Sequence, residues 1–272
     1  MSAASAPHVR TARRASAGSA SGACGSALPK RFSMPDEHGR GASRRGASRR
    51  RHRTLRLAVD ACLAAVFVAL MTTATVEEFA HEWLGMAAFA LFVVHQVLNR
   101  RWWTGLVRGR YTALRALGTV VNLGLALCMV GQMASSLVLS EHALWWLPAL
   151  DGAWWARVVH LLCSYWGFVL AAIHAGLHLV GAARTLARRG GALAWGVRIA
   201  FVAVACFGAW SFVQLDLATY LTLSSQFVFV DPAVPLGLTA AEYASVGVLL
   251  AAAAHGAARL ISPRTARSTC TS

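Results

Sequence analysis

The sequence predicts an all-α, polytopic membrane bundle of about six transmembrane helices. Three observations carry that prediction. Hydrophobic residues make up 57% of the 272-residue chain and charged residues only 14%, and long apolar runs carry no charge at all. Ten tryptophans, several of them beside those runs, resemble the aromatic belt of a membrane–water interface. The net charge of +15 lies largely before residue 57 and otherwise in short loops. So basic a chain first suggests nucleic-acid binding. Charge that flanks apolar spans is better explained by topology control and by contact with anionic lipid headgroups.

Residues 1 to 54 are rich in Ala, Ser, Gly and Arg, with almost no acid and no apolar period. Runs such as Ser43-Arg44-Arg45 and Arg49-Arg50-Arg51 cannot support a core, so a disordered basic cytoplasmic tail is expected. The composition also describes a transit peptide, whereas no apolar region within it marks a cleaved signal. Six apolar segments follow: Leu55 to Thr75, His81 to Leu98, Ala113 to Leu139, Val158 to Ala182, Trp195 to Val213 and Ala241 to Leu260. Each is long enough, or nearly so, to span a bilayer as a helix that satisfies its own backbone hydrogen bonds. The last is the weakest, being alanine-rich and carrying His255. The expected organisation is the tail, a four-helix core over 55–182, two further helices with an extracytoplasmic loop over 183–262, and a short cytoplasmic tail over 263–272.

Loop charges alternate in sign. Arg53 and Arg56 precede the first span; Arg100, Arg101, Arg108, Arg110 and Arg115 surround the second connection; Arg184, Arg188, Arg189 and Arg198 surround the fourth. Arg259, Arg264 and Arg267 follow the sixth span. The other connections carry Glu77, Glu78, Glu82, Glu141, Asp151, Asp216, Asp231 and Glu242, with Arg157 the basic exception. Lys and Arg are retained on the cytoplasmic side. Both termini are therefore expected in the cytoplasm, with the second and fourth spans running in the same direction, from outside to inside.

Those two spans hold two histidine pairs of equal spacing. His81 and His95 are 14 positions apart (95 − 81), as are His160 and His174 (174 − 160). At about 100° and about 1.5 Å per residue, each pair projects from one helix face, with its rings roughly 21 Å apart along the axis. A hydrocarbon core about 30 Å thick accommodates both levels. The direction of the spans puts His81 and His160 near the outer leaflet, and His95 and His174 near the inner one. Neutral imidazole suits iron, and haem is commonly held by axial histidine. Two such helices side by side would hold two haems, one above the other, making an electron path across the membrane. A single intramembrane histidine is more often a polar contact between helices; two equal spacings at matching depths favour ligation. A metal ion held without a porphyrin would want further Asp, Glu or Cys ligands, and none is expected at mid-depth.

His178 lies one turn beyond His174 and is the alternative inner ligand; otherwise its N–H would serve a haem propionate or a quinone head. Arg157, three residues before His160, pairs with an outer propionate in a bidentate fork or else anchors the helix at the interface. His255 reads as a packed or interfacial histidine. Gly85, Gly118, Gly124, Gly131, Gly167 and Gly176 would leave room for a porphyrin, or would serve ordinary helix packing. The six cysteines include no Cys-x-x-Cys-His, so covalent haem attachment is not indicated. Cys62, Cys128, Cys163 and Cys206 read as small buried hydrophobes.

The stretch His81-Glu82-Trp83-Leu84-Gly85, followed by His95 and Asn99-Arg100-Arg101-Trp102-Trp103, resembles the first half of the flavinylation-associated cytochrome family of bacterial membrane proteins. His160, Tyr165-Trp166-Gly167-Phe168 and His174-Ala175-Gly176-Leu177-His178 resemble its second half, and Phe227 to Pro232 is similar to the segment after the fifth helix in its longer members. The resemblance covers about residues 55 to 260. It implies a membrane b-type cytochrome that exchanges electrons with flavin-bearing extracytoplasmic partners. Many members have a second histidine where this chain has Asn99, so the resemblance leaves His95 alone at the inner end of the second span. No flavin-attachment motif of the Asp-Gly-x-Ser/Thr type is present, which assigns any covalent flavin to a partner. The four-histidine spacing is also similar to that of cytochrome b in quinol-oxidising bc complexes, in ligand geometry only.

The expected function is that of an electron-transfer subunit with two b haems, linking a quinone or cytoplasmic-side donor to an extracytoplasmic flavoprotein or other acceptor. Whether it is also an enzyme stays open. The alternatives are a non-haem transporter or scaffold subunit with histidines as polar contacts, and a self-contained quinone or ferric reductase. Against a transporter stand the lack of broken helices and of mid-membrane acids.

Overall fold

In the computed structural model, the described residues are 37–73, 78–148, 150–178, 191–229, 231 and 233–261. The chain divides into two compact units, residues 1–47 and 48–272. The described helices are α1 (Glu37–Thr73), α2 (Glu78–Leu98), α3 (Arg101–Gly105), α4 (Ala113–Leu139), α5 (Ala153–His178), α6 (Gly191–Gln214), α7 (Leu217–Leu221) and α8 (Leu236–Ile261). Six contain stretches long and apolar enough to cross a membrane: Arg50–Thr73, Glu78–Leu98, Ala113–Leu139, Ala153–His178, Ala194–Gln214 and Leu236–Ile261. The protein is an all-α, multi-pass membrane bundle.

Two features depart from the sequence expectation. Helix α1 begins at Glu37, whereas disorder was expected up to residue 54. Extending a helix already nucleated by an apolar span costs little, and Ala and Arg are good helix formers; the rest of the expected tail, 1–36, lies outside the described residues. The short helices α3 and α7 were not expected. Helix α7 follows a reversal at Asp216, whose backbone is left-handed at φ 48° and whose carboxylate accepts from Thr219 Oγ1 at 2.8 Å. Asp is among the few residues that visit this region at modest cost.

Contacts fix the relative directions. At one end, Arg56 donates to the Leu98 carbonyl at 2.6 Å, and Asp60 meets His95 at 2.8 Å, so α1 and α2 are antiparallel. At the other end, the Glu82 carboxylate of α2 accepts from Ser140 Oγ at 2.7 Å and from the N–H groups of Glu141, His142 and Ala143 at 3.0, 2.9 and 2.6 Å. The close of α4 is thus tied to the start of α2, and α5 sets out from that same end, parallel to α2. Helix α8 is parallel to α5: Phe168 stands by Tyr243 and Gly247, and Gly176 by Ala251. The start of the α1 span and the close of α8 therefore share the Asp60 end.

Helices α4 and α5, α5 and α8, and α6 and α8 pack backbone against backbone, while α1 and α2 meet the others almost wholly through side chains. Glycine makes all three close approaches, with Gly208 of α6 against the Ser245 backbone of α8. A Cβ at Gly176 would collide with the Ala251 backbone, and one at Gly131 would lie 2.5 Å from Cys163 Sγ. The buried core joins Met71, Tyr165, Phe168, Leu217, Tyr220, Tyr243 and Val246 at the Glu82 end, with Tyr165 and Tyr220 stacked at 4.7 Å. Much of the remaining apolar surface faces outward; on α6, Trp195, Ile199, Val202, Trp210 and Val213 are exposed, as lipid contact requires. Cys62 and Cys206 are exposed too, not buried as expected, while Cys128 and Cys163 are half-buried on α4 and α5. Chain outside a membrane bundle is solvated by lipid, so an apolar thiol has no need to turn inward.

Candidate functional site

Because α2 and α5 are parallel, their histidines meet in two sets. The His81 and His160 rings lie 6.1 Å apart between centroids at the Glu82 end, and the His95 and His174 rings 6.3 Å apart at the Asp60 end. A first-row metal ion sits about 2.0–2.1 Å from an imidazole nitrogen, so two rings facing one ion have centroids roughly 6 Å apart. His178 is exposed, its ring 4.6 Å from that of His174. It is His174 that stands opposite His95.

Each ring leans on the membrane helix preceding its own. His95 Nδ1 donates to Asp60 Oδ1 of α1 at 2.8 Å. His160 Nδ1 lies 3.1 Å from Ser135 Oγ of α4, a residue with no exposed surface. The single hydrogen of Ser135 has carbonyl acceptors at Gly131 (2.8 Å) and Gln132 (3.0 Å), so its oxygen is the acceptor toward His160. His174 Nδ1 is 2.6 Å from the Asn122 amide of α4. His81 lies beside the Leu70 carbonyl of α1, but its Nδ1 is buried without a hydrogen bond of good geometry. A proton on Nδ1 leaves the Nε2 lone pair free for a metal, and an oxygen acceptor behind a ligating histidine is the usual support.

The Asn122 amide has two settings. With its nitrogen toward His174 Nδ1 it also donates to Gly118 O (3.2 Å), and its oxygen accepts from Trp102 Nε1 (3.3 Å). With its oxygen toward Nδ1 it accepts the proton there and frees Nε2. The first setting satisfies more partners; the second is the one an Nε2 ligand needs.

Space accompanies both sets unequally. A cavity of about 680 Å³ at the Glu82 end is bounded by His81, His160, Arg157, Gly85, Gln132 and Tyr165. Two of its polar atoms, His81 Nδ1 and Gln132 Oε1, are buried without a partner among the described residues. Its size falls in the range of cofactor pockets, about 300–1,000 Å³. These residues fit a bis-histidine haem: opposed rings, an apolar chamber, and Arg157 beside it for an acidic substituent. The Asp60 end has a cavity of about 360 Å³ lined by His174, His178, Asn122, Gly118, Trp102 and Arg115. It reaches His174 but not His95, so the fit there rests on the ring pair. Arg115 is committed to the Gly105 and Arg108 carbonyls at 2.7 Å each.

Of the six glycines expected to make room for a porphyrin, only Gly85 and Gly118 open onto the cavities. Gly124 and Gly131 receive Leu170 and Cys163 of α5, Gly167 faces Phe67 and Cys128, and Gly176 faces α8. Those four serve helix packing. His255 is half-buried on α8, remote in sequence from both sets, with Nδ1 unpartnered. Asn99 donates to the His95 carbonyl at 3.0 Å and approaches His95 Nε2 at 3.4 Å.

The sequence reading missed Asp60, Ser135 and Asn122, and with Asp60 it missed an acid inside a span. Each is an ordinary polar residue of an apolar segment, distant in sequence from the histidine it supports. The available signal was its rarity there, since polar groups in spans tend to face a partner. Among the described residues, no group of three or more His, Cys, Asp or Glu side chains is arranged to hold a bare metal ion. Comparison with protein-family models, curated proteins and solved structures finds no match.

Proposed function

We propose that the protein is a membrane-embedded b-type dihaem cytochrome that carries electrons across the bilayer. The observation that carries this reading is the pair of ring separations, 6.1 and 6.3 Å, at two levels of one parallel helix pair. Packing alone has no reason to repeat that distance twice, whereas one iron between two imidazoles requires roughly it. His81 with His160, and His95 with His174, would hold the two groups. Haem supplies a reversible one-electron couple at each level. The chain's part is to fix His95, His160 and His174 by their Nδ1 contacts, to exclude water with apolar walls, and to offer Arg157 to a carboxylate at the Glu82 end.

In this reading the Glu82 end is extracytoplasmic and the Asp60 end cytoplasmic, because Arg53, Arg56, Arg100, Arg101 and Arg259 gather at the latter. The cell membrane of a bacterium is the proposed location, with both termini inside. The resemblance to flavinylation-associated cytochromes supports an extracytoplasmic flavoprotein as acceptor and a quinone or cytoplasmic-side reductant as donor. The test is an optical spectrum of the protein purified after expression with ample haem, oxidised and then reduced. The expected result is the sharp reduced bands of a low-spin b cytochrome. Featureless visible absorption overturns the proposal.

A further inference from the structure

The two histidine sets differ in the charge placed behind them. Resting on the cytochrome reading, we propose that Asp60 is a positioning residue that makes the Asp60-end site the lower in reduction potential, so that an electron runs downhill from that end to the Glu82 end. Asp60 Oδ1 takes the Nδ1 proton of His95 at 2.8 Å. A carboxylate in that position makes Nε2 a stronger donor, and a stronger donor favours the oxidised metal over the reduced one. Arg56, one turn earlier on α1, does not neutralise the pair directly, because its guanidinium is bound to the Leu98 carbonyl at 2.6 Å.

Nothing equivalent stands behind the other set. His160 faces a neutral hydroxyl at 3.1 Å, and His81 Nδ1 has no partner. Glu82 follows His81 in sequence and keeps its charge, but its oxygens bond Ser140, three backbone N–H groups and the His142 ring at 3.2 Å, and none of these bonds reaches His81 or His160. Glu78 and Arg157 also line that cavity, with opposite charges. Among the described residues, the asymmetry is a carboxylate bonded to one of the four paired histidines at the Asp60 end only.

The experiment is a potentiometric titration of the purified holoprotein, followed optically, on the native chain, His174→Ala and Asp60→Asn. The expected result is two separable one-electron steps in the native chain, of which His174→Ala loses the lower. Asp60→Asn should raise that lower step by about tenfold in its reduction equilibrium, about 59 mV for one electron, and leave the upper step in place. Asp60→Glu should restore most of the difference. If His174→Ala loses the upper step, or if Asp60→Asn loads haem with both steps unmoved, the inference is overturned and the cytochrome reading stands. Should Asp60→Asn fail to fold, the assignment by His174→Ala decides alone. A native protein without haem absorption overturns both.

Discussion

Removing the Glu82 carboxylate should unfasten the Glu82 end of the bundle, since α2 has almost no backbone packing to hold it there. Five donors converge on that group: Ser140 Oγ, the N–H groups of Glu141, His142 and Ala143, and the His142 ring. Glu141 and His142 are exposed, so their N–H groups find water once the carboxylate is gone. Ala143 is buried at 3% exposure and Ser140 is half-buried, and these two donors are left wanting. A hydrogen bond to a charged group contributes about 1.5–3 kcal/mol, so two of them set a loss of about 3–6 kcal/mol for Glu82→Ala. At about 2–4 °C per kcal/mol for a chain of this size, the thermal midpoint should fall by about 6–24 °C. The assay is circular dichroism melting of the purified protein in detergent, with haem content recorded alongside. Haem should be lost first from the His81–His160 set, whose cavity Glu82 lines. Glu82→Gln should show about half the drop, because the amide keeps one acceptor oxygen but turns donors toward donors. A Glu82→Ala midpoint within about 2 °C of the native one would refute the reasoning and mean that lipid or α1 holds α2 in place.

His174→Ala should abolish one haem signal, while His178→Ala retains both and at most shifts a potential, as read from difference spectra of the two variants. The opposite pattern would place His178, not His174, across from His95. A reporter fused after Ser272 should report cytoplasm, and one inserted near Pro148 the exterior, in an enzymatic or fluorescence topology assay. Gly176→Val should abolish folded, extractable protein, because its side chain would meet the Ala251 backbone, whereas Gly85→Ala should be recovered at native yield, having open space there.

Much of the fold was legible because membrane spans announce themselves by length and lack of charge; Ala113–Leu139 was read to the residue. The parallel run of α2 and α5 followed from loop charge, since alternation of Arg with Glu and Asp constrains every second span alike. The pairing of His81 with His160 followed from the equal 14-residue period together with the shared direction of the two spans. What stands behind each ring did not. Asp60 is 35 positions from His95 (95 − 60), and Asn122 is 52 from His174 (174 − 122). Contacts of that separation depend on helix rotation, which composition leaves open. Gly131 and Gly176 show the same limit, because a small residue suits a porphyrin wall and a close helix crossing equally well. Glu82 was read as a loop acid marking an outer end; that it gathers the turn after α4 depends on how that turn folds back.

The most direct test of the account is haem per chain, measured by pyridine haemochrome against quantitative amino-acid analysis for the native protein and for His81→Ala. The account predicts a ratio near two in the native chain and near one in the variant, with the surviving spectrum low-spin and otherwise intact. A native ratio near one, unchanged by His81→Ala, would contradict it and leave the 6.1 Å His81–His160 pair as a packing contact.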